Sequence, residues 1–470
     1  SADYLRPAYL DRWLRQALDN KDHGYLLLEG ESGLGKSIYT SMLDPVSPLY
    51  MNTTLFEDTY TCRYVISLYP DSQRPSLFIA ALNAMFPMLT PIAWTEEAPD
   101  LRRRVAEFLN AAVRGTASRK LLLILDGAHH LDYSGQNAFS LAEILPQASQ
   151  LTQGVYLFLT DQCAEDHTWL MSKDTAPYIG TFLLSTPQHQ QFFRVYLTQY
   201  VLHVTTEDNP LVSALSESLR GDMLLAHLLR DTFVLCRPDS YTNMVHFYEQ
   251  HPGYTTLTAL YLDRLYEFYG PEYSIYIAQL LQLLALSPHA VSWHDLETLL
   301  IDLPALPAIA SILRDLRPFL SLRGDTLSLA STRIHYYMLS AYSPDWKDYC
   351  LRLLQYRSEL LDAAPDNPEY LLDLDYYAKG IGWDGHEDLL THIAHSLLPS
   401  PEHEETLSPS IIDYYTVLGE FFSDETTNPF RLDSLRVFSL SPILSDRRFA
   451  CNRWDSLQDT PQFDEKAYAR

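Results

Sequence analysis

A glycine-rich segment near the start of the chain limits, more than any other feature, the folds that the chain can adopt. It reads Gly30-Glu31-Ser32-Gly33-Leu34-Gly35-Lys36-Ser37 and matches G-x-x-x-x-G-K-[ST] in full. An apolar run at Tyr25 to Glu29 precedes it, and helical spacing follows from Ser37 to Leu43. In such a loop the backbone N–H groups converge on a phosphate, the lysine reaches its outer oxygens and the hydroxyl ligates Mg²⁺. We predict a nucleotide-binding phosphate loop formed by all eight residues; the alternative is a glycine-rich turn without a ligand.

A second motif is an apolar strand that ends in an acid, Lys120-Leu-Leu-Leu-Ile-Leu-Asp126. Its position puts Asp126 at the carboxyl end of a strand, where ligands bind in open parallel sheets and where P-loop proteins hold the Mg²⁺ shell. We therefore predict that Asp126 and Ser37 together hold Mg²⁺. The alternative is an aspartate that only begins a turn at Gly127.

Five short apolar runs in residues 1–200 predict a parallel sheet that is buried on both faces, since they lack the alternation of a half-exposed strand. Segments with apolar residues three and four apart lie between the runs. This alternation predicts an α/β domain over residues 1–200, with a parallel five-stranded sheet flanked by helices. The five runs are Tyr25 to Glu29, Cys62 to Leu68, Leu121 to Leu125, Val155 to Leu159 and Thr181 to Leu184.

Helical periodicity dominates beyond residue 200. It predicts one helix at Ala214 to Leu235, two more at Tyr254 to Tyr269 and Tyr276 to Leu286, and a loop at Ser287 to Val291. After further helices, two short strands within Phe319 to Ala330 are joined by a tight turn at Gly324 and Asp325, and helices followed by such a hairpin are typical of a winged helix. Residues 344–470 are predicted to form an all-α carboxyl-terminal domain.

The amino-acid composition limits which partners the chain can bind and which cellular compartment suits it. The 470 residues include 34 Lys and Arg against 60 Asp and Glu, a formal net charge of −26. A surface this acidic repels phosphate backbones, so we expect no nucleic-acid partner. The five cysteines are scattered without a C-x-x-C pair, which favours a reducing, cytoplasmic compartment. The sequence has no apolar run long enough to predict a membrane span. The sequence opens at Ser1 rather than at Met, which suggests a fragment of a longer protein.

Taken together, the motifs resemble the STAND class of P-loop NTPases, the signalling ATPases that include the NACHT and apoptotic-ATPase groups and bacterial repeat-fused members. The resemblance spans residues 4–340. It implies that Arg6 lies near an adenine pocket, that residues 201–270 form a helical lid near the nucleotide, and that residues 271–343 form the winged helix. The segments that carry it are Tyr4-Leu-Arg6-Pro-Ala-Tyr-Leu-Asp-Arg-Trp-Leu, Leu125-Asp126-Gly127-Ala128, Phe192-Phe-Arg-Val-Tyr-Leu and Leu219-Arg-Gly221-Asp-Met-Leu-Leu.

The resemblance implies a switch rather than a metabolic enzyme. Members of the class hold ADP in a closed state, exchange it for ATP on sensing a signal, and then open and oligomerise to activate an effector. We therefore expect ATP or ADP and Mg²⁺ as ligands, a homo-oligomer as the active state, and an effector or sensor, separate or fused, as the partner. The sequence names neither the triggering signal nor the effector.

Three departures from the class pattern weaken the expected hydrolysis. The acids that commonly follow the strand-ending Asp126 are replaced by Gly127-Ala128-His129-His130, which leaves His129 as the candidate proton acceptor. Gln162 stands where many relatives have an arginine, and Ser331 stands near the place of a histidine that contacts the β-phosphate of ADP. We expect a slow or inactive ATPase. The alternative is a pseudo-ATPase scaffold that acts through protein association.

Overall fold

The computed structural model describes residues 5–52, 56–66, 70–95, 97–115, 119–131, 140–162, 168–236, 244–287, 289–300, 306–323, 326–342, 346–364, 370–371, 373–398, 409–422 and 428–440. The chain divides into two compact units, one formed by residues 1–94 and 98–337 and the other by residues 95–97 and 338–470. The finer predicted division, at residues 200, 270 and 343, stays a prediction.

The first unit is built on a parallel sheet, as the sequence predicts. Leu26 and Leu28 pack on one face of its first strand, whereas Tyr25 and Leu27 pack on the other, so successive positions must all be apolar. The second strand begins three residues before the predicted run at Cys62, because polar Thr59 and Thr61 also belong to it. The strands are β1 (Gly24–Gly30), β2 (Thr59–Val65), β3 (Lys120–Asp126), β4 (Val155–Asp161) and β5 (Tyr178–Phe182), in the order β2-β3-β4-β1-β5.

Helices cover both faces of this sheet. One face packs against apolar side chains of the first two helices, including Leu14 and Tyr39, and the other packs against those of the third to fifth, including Phe78 and Leu109. Each helix buries one apolar stripe, which is the arrangement expected of an α/β layer structure. The helices are α1 (Ala8–Asn20), α2 (Lys36–Leu43), α3 (Pro75–Met85), α4 (Ala98–Gly115), α5 (Leu141–Ile144), α6 (Thr168–Lys173) and α7 (Pro187–Tyr196), which runs on into a π-helical turn at Leu197–Val201.

Three helices follow the sheet: α8 (Pro210–Leu219), α9 (Met223–Leu235) and α10 (Met244–Gln250). The prediction of one helix from Ala214 to Leu235 is wrong, because the chain turns between α8 and α9. Arg220 and Gly221 there take the left-handed φ values of 53° and 89°. The Asp222 carboxylate then accepts the backbone N–H of Leu225 at 3.0 Å and caps α9. Apolar spacing alone does not reveal such a break.

The next helical run, α11 (Tyr254–Leu286), is interrupted at Gly270. Gly270 has the non-helical φ of 79°, and Pro271 after it lacks the N–H that would continue the hydrogen-bond ladder. The Ser274 hydroxyl spans the break: its one hydrogen is shared between the carbonyls of Gly270, at 2.7 Å, and Tyr266, at 3.1 Å. The two helices predicted at Tyr254 to Tyr269 and Tyr276 to Leu286 are therefore confirmed as the two halves of α11.

A small antiparallel sheet and three helices complete the winged-helix region. The predicted hairpin is confirmed, and its turn at Gly324 and Asp325 lies outside the described residues. The predicted loop is wrong at its end, because Val291 pairs with Leu327 in a two-residue strand too short to show a period. The elements are β6 (Val291–Ser292), α12 (Trp293–Leu299), α13 (Leu306–Asp315), β7 (Leu320–Arg323), β8 (Thr326–Leu329) and α14 (Thr332–Tyr342), with sheet order β6-β8-β7.

The secondary-structure elements in the described part of the second unit are all helices, as predicted. Tyr414 and Tyr415 lie in its core with their side chains fully buried. Their hydroxyls donate to the carbonyls of Leu390, at 3.0 Å, and Ala394, at 2.8 Å, so burial leaves neither group unsatisfied. Its helices are α15 (Trp346–Ala363), α16 (Leu374–Ile381), α17 (Glu387–Ser396), α18 (Pro409–Glu420) and α19 (Arg431–Ser439). Within the ranges given above, no helix of either unit has the length and apolar character needed to cross a membrane.

Candidate phosphate-binding site

The glycine-rich loop connects the end of β1 to the start of α2, as the motif requires. Gly33 and Gly35 take left-handed φ values of 92° and 93°, a conformation that L side chains rarely adopt. Lys36 folds back over the loop, and its Nζ donates to the carbonyls of Gly30, at 2.5 Å, and Glu31, at 3.0 Å. These carbonyls hold the ammonium at the loop, so the cation is in place for an anion that binds there.

The residues at the variable loop positions fix the loop to its surroundings. The Glu31 carboxylate accepts the backbone N–H of Leu184, which follows β5, at 2.6 Å. Leu34 is 2% exposed. Ser32 contributes its carbonyl, which accepts a hydrogen bond from Arg333 at 3.2 Å. Of the eight predicted residues, these three therefore have contacts that shape the loop, whereas the backbone, Lys36 and Ser37 are the groups suited to bind phosphate.

Asp126 and Ser37, which the sequence pairs, do lie together. The Ser37 hydroxyl donates to Asp126 Oδ1 at 3.2 Å. Thr160 on β4 donates to the same oxygen at 2.5 Å, and Thr40 on α2 donates to Oδ2 at 3.0 Å. The Asp126 carboxylate is 3% exposed and therefore depends on such partners for its charge. Asp126, at the end of β3, thus connects α2 to β4.

A residue that the sequence analysis missed, Arg63, completes this cluster. It lies on β2, its side chain is 5% exposed, and Nη2 contacts Asp126 Oδ2 at 2.5 Å and the Ser37 carbonyl at 3.2 Å. Burial acts to raise the pKa of Asp126, but the Arg63 charge and the hydrogen bonds from Thr160, Arg63 and Thr40 outweigh it, so the net pKa is lowered. Arg63 was detectable: a charged residue inside a strand predicted to be buried on both faces needs a partner of opposite charge.

The residues around Asp126 do not fit Mg²⁺ well in this arrangement. Mg²⁺ takes six oxygens in near-ideal octahedral geometry, usually including one or two carboxylates. Each carboxylate oxygen of Asp126 already accepts two hydrogen bonds, and one of these four comes from a buried guanidinium that neutralises the carboxylate. A dication beside Arg63 would also be repelled by it. Assignment of Ser37 and Asp126 as metal ligands stays a prediction.

Arg6 lies at the end of α2 opposite to the phosphate loop. Its guanidinium pairs with Asp11 at 2.7 Å, donates to the Met51 carbonyl at 2.6 Å, and lies over the ring of Phe56. These groups border a cleft of about 110 Å³ that is lined by residues of α2 and β2. The predicted contact of Arg6 with adenine stays a prediction.

His129, the predicted proton acceptor, follows β3 in a short 3₁₀ turn. Its Nδ1 lies 3.7 Å from a carboxylate oxygen of Asp161, and its Nε2 lies 3.5 Å from the amide nitrogen of Gln162. His129 therefore contacts the end of β4, where Gln162 replaces the expected arginine. Its catalytic role stays a prediction.

Two segments far along the chain contact the loop directly. The backbone N–H of Met223, at the start of α9, donates to the Gly33 carbonyl at 2.9 Å. Arg333 on α14 donates to the Ser32 carbonyl and pairs with Asp222 at 2.5 Å. The segment around Gly221 therefore lies beside the loop, and a lid near a bound nucleotide stays a prediction. Arg333 was missed. Ser331, which stands near the place of the class histidine, caps α14 by accepting the N–H of Ile334 at 3.3 Å.

A buried histidine links the same lid segment to α1. His189 is fully buried; its Nδ1 lies 2.9 Å from the Tyr9 hydroxyl and its Nε2 lies 2.7 Å from the Gly221 carbonyl. Because a carbonyl only accepts, Nε2 carries the proton and Nδ1 accepts from Tyr9. Burial lowers the pKa of His189, although the Gly221 hydrogen bond and the charges of Asp222 and Glu31 act to raise it.

The chain has only distant similarity to known proteins. No protein-family model and no curated protein matches the chain. Among solved structures, it is similar to the Walker-type ATPase PABY2304 of Pyrococcus abyssi, with a TM-score of 0.33, 13% identity, and coverage of 72% of this chain and 96% of that one. It is also similar to a mutant of Thermotoga maritima RuvB, with a TM-score of 0.26, 14% identity and coverage of 72% and 93%. These similarities are too distant to argue from, and the P-loop NTPase layout is read from the sheet and loop themselves.

Proposed function

We propose that this chain is an ATP- or ADP-binding switch of the STAND type, in which nucleotide exchange controls opening and oligomerisation and so activates an effector. The observation that carries the proposal is that one loop serves two purposes. The Ser32 and Gly33 peptides belong to the phosphate loop, and their carbonyls also hold Arg333 and Met223. A ligand that changes the loop therefore changes the support of the lid and winged-helix segments.

The energies involved suit a switch. A nucleotide can bias two conformations only by its differential affinity for them, and inverting a 1:99 population takes about 5.5 kcal/mol. The contacts include two hydrogen bonds to the loop, from Met223 and from Arg333, and the bond from Arg333 to Asp222 beside it. At roughly 0.5–3 kcal/mol for each such bond, their loss or gain is of the size required.

Weak or absent hydrolysis belongs to the same proposal. No acid follows Asp126 in Gly127-Ala128-His129, and losing a positioned base typically costs about 10²–10⁴ in rate. His129 is also engaged by Asp161. A nucleotide held without turnover makes exchange, rather than hydrolysis, the step that changes state.

The proposed partners are a second copy of the chain in the open state and an effector or sensor, separate or fused. The helical second unit is proposed to receive or relay the signal. The acidic surface, with a formal net charge of −26, supports a protein partner over a nucleic acid.

The test begins with nucleotide content. The chain is purified without added nucleotide and denatured, and the released nucleotide is identified by chromatography, with Lys36→Ala as the site variant and Lys379→Ala, which removes a cation paired with Glu420 in the second unit, as its control. We expect stoichiometric ADP or ATP from the wild type and Lys379→Ala, and none from Lys36→Ala. An empty wild-type site that also fails to take up added ATP would instead support the pseudo-ATPase scaffold.

Light scattering after size-exclusion chromatography tests the switch itself. We expect a monomer with ADP and a larger assembly with ATP in the wild type, and no nucleotide-dependent change in Lys36→Ala. If Lys36→Ala assembles as the wild type does, nucleotide does not control assembly and the switch proposal fails.

A further inference from the structure

The carboxylate that P-loop proteins offer to Mg²⁺ is here bound to an arginine of the same chain. Arg63 Nη2 contacts Asp126 Oδ2, and the same nitrogen donates to the carbonyl of Ser37, the residue whose hydroxyl would ligate the metal. Arg63 therefore touches both predicted metal ligands.

The pair is built into the fold rather than formed at the surface. Arg63 and Asp126 side chains are 5% and 3% exposed, and they come from adjacent parallel strands in which Val65 lies beside Asp126. Arg63 Nε is also buried, and it has no hydrogen-bond partner among the described residues. The guanidinium is thus a fixed part of the fold beside the phosphate loop, where its charge cancels that of the Asp126 carboxylate.

We propose that Arg63 takes the place of Mg²⁺ at Asp126, so that this chain binds a nucleoside diphosphate without a divalent cation. The inference rests on the proposed nucleotide binding. Lys36 supplies the positive charge at the loop, and Arg63 neutralises the carboxylate that would otherwise hold Mg²⁺ or, left bare, repel the phosphates.

A binding measurement on the wild-type chain decides the matter without a mutation. Fluorescent methylanthraniloyl-ADP is titrated into the full chain, once with excess MgCl₂ and once with excess EDTA. We expect the two dissociation constants to agree within about threefold, because the ion has no role in holding the phosphates. Binding that weakens by about tenfold or more in EDTA overturns the proposal but leaves nucleotide binding intact. The absence of binding in both buffers overturns the proposed function itself.

The variant Arg63→Met tests the residue. It keeps an unbranched apolar stem but removes the charge, and we expect it to bind ADP about tenfold or more weakly in EDTA and to recover part of that loss in MgCl₂. Arg103→Met is the control, because Arg103 is an exposed arginine that pairs with Asp100 and Glu107 on α4. Equal binding by Arg63→Met and wild type in EDTA contradicts the proposal.

Manganese provides a second measurement if Arg63→Met does not fold. Electron paramagnetic resonance of wild-type chain with ADP and Mn²⁺ reports how much Mn²⁺ is immobilised on the protein. We expect the protein to immobilise no Mn²⁺ beyond what ADP alone binds. Stoichiometric protein-bound Mn²⁺ that depends on Asp126 overturns the proposal.

Discussion

Arg333 on α14 and Asp222 at the cap of α9 form an ion pair in which Nη1 lies 2.5 Å from Oδ2, and both residues adjoin the phosphate loop. Asp222 packs so closely against Gly33 that a Cβ there would collide with its carboxylate. A residue of the lid segment and a residue of the winged-helix region thus meet over two consecutive peptides of the loop. Their pairing is the most direct physical link between the loop and the segments that the proposed switch must move.

Breaking this pair should loosen the lid. We expect Arg333→Ala to speed amide hydrogen exchange at Met223 several-fold, because the N–H of Met223 is held only while α9 stays on the loop. Arg314→Ala, in the same region and with its side chain 70% exposed, is the matched control and should leave that exchange unchanged. The measurement is hydrogen exchange followed by mass spectrometry. Equal protection in both variants would show that Arg333 does not hold the lid.

The two left-handed glycines of the loop should differ in their tolerance of alanine. Gly35→Ala meets no atom within 4 Å, so only the backbone conformation is strained, which costs about 1–2 kcal/mol. Gly33→Ala adds a collision with Asp222, so we expect a larger loss in the free energy of unfolding, measured by urea denaturation. If Gly33→Ala is no more destabilising than Gly35→Ala, the Asp222 contact is not rigid.

The buried pair of Arg63 and Asp126 should behave as a unit. Removing one partner leaves an uncompensated buried charge, which typically costs about 3–5 kcal/mol. We expect Asp126→Leu and Arg63→Met each to destabilise the chain by such an amount, and the double variant to cost less than the sum. A double-mutant cycle by urea denaturation provides the coupling energy, and simple additivity would contradict the pairing.

Acid should destabilise the chain through its buried histidines. Burial lowers the pKa of His189, and it likewise lowers that of His335, whose Nε2 lies 2.9 Å from the Ala285 carbonyl. Between the lowered folded pKa and the unfolded value near 6.5, the unfolded chain binds more protons, so the free energy of unfolding rises with pH. We expect stability to fall as the pH drops from about 7.5 to about 5.5.

Urea denaturation across this range, with His189→Gln beside the wild type, isolates the contribution of that ring. The variant lacks the titrating group, so its loss of stability on acidification should be smaller than that of the wild type. His246→Gln, which replaces a side chain that is 71% exposed, should keep the wild-type slope. Identical slopes for all three chains would show that His189 does not titrate as inferred.

Much of the sheet and its loop could be predicted because their patterns are local. The run before Gly30 and the acid that closes the run at Asp126 each occupy consecutive residues, and the fold brings their ends together as a parallel sheet must. Arg63 and Arg333 could not be assigned their partners in this way. Arg63 pairs with Asp126 and Arg333 pairs with Asp222, and in each pair the two residues lie more than sixty positions apart in the sequence. The spacing of apolar residues along one helix or strand does not predict such distant pairs.

The interruption of α11 at Gly270 gives the region between lid and winged helix a built-in pivot. No atom lies within 4 Å of the place where a Cβ would be, so Gly270 is there for its backbone angle and not for packing. Each half of α11 keeps its own hydrogen-bond ladder, and the Ser274 hydroxyl is the side chain that joins them across the break. The two halves can change their mutual angle by rotation at one residue, without unwinding a turn of either. The thirty-three residues of α11 therefore form two shorter rigid helices joined by a hinge, rather than one rigid helix.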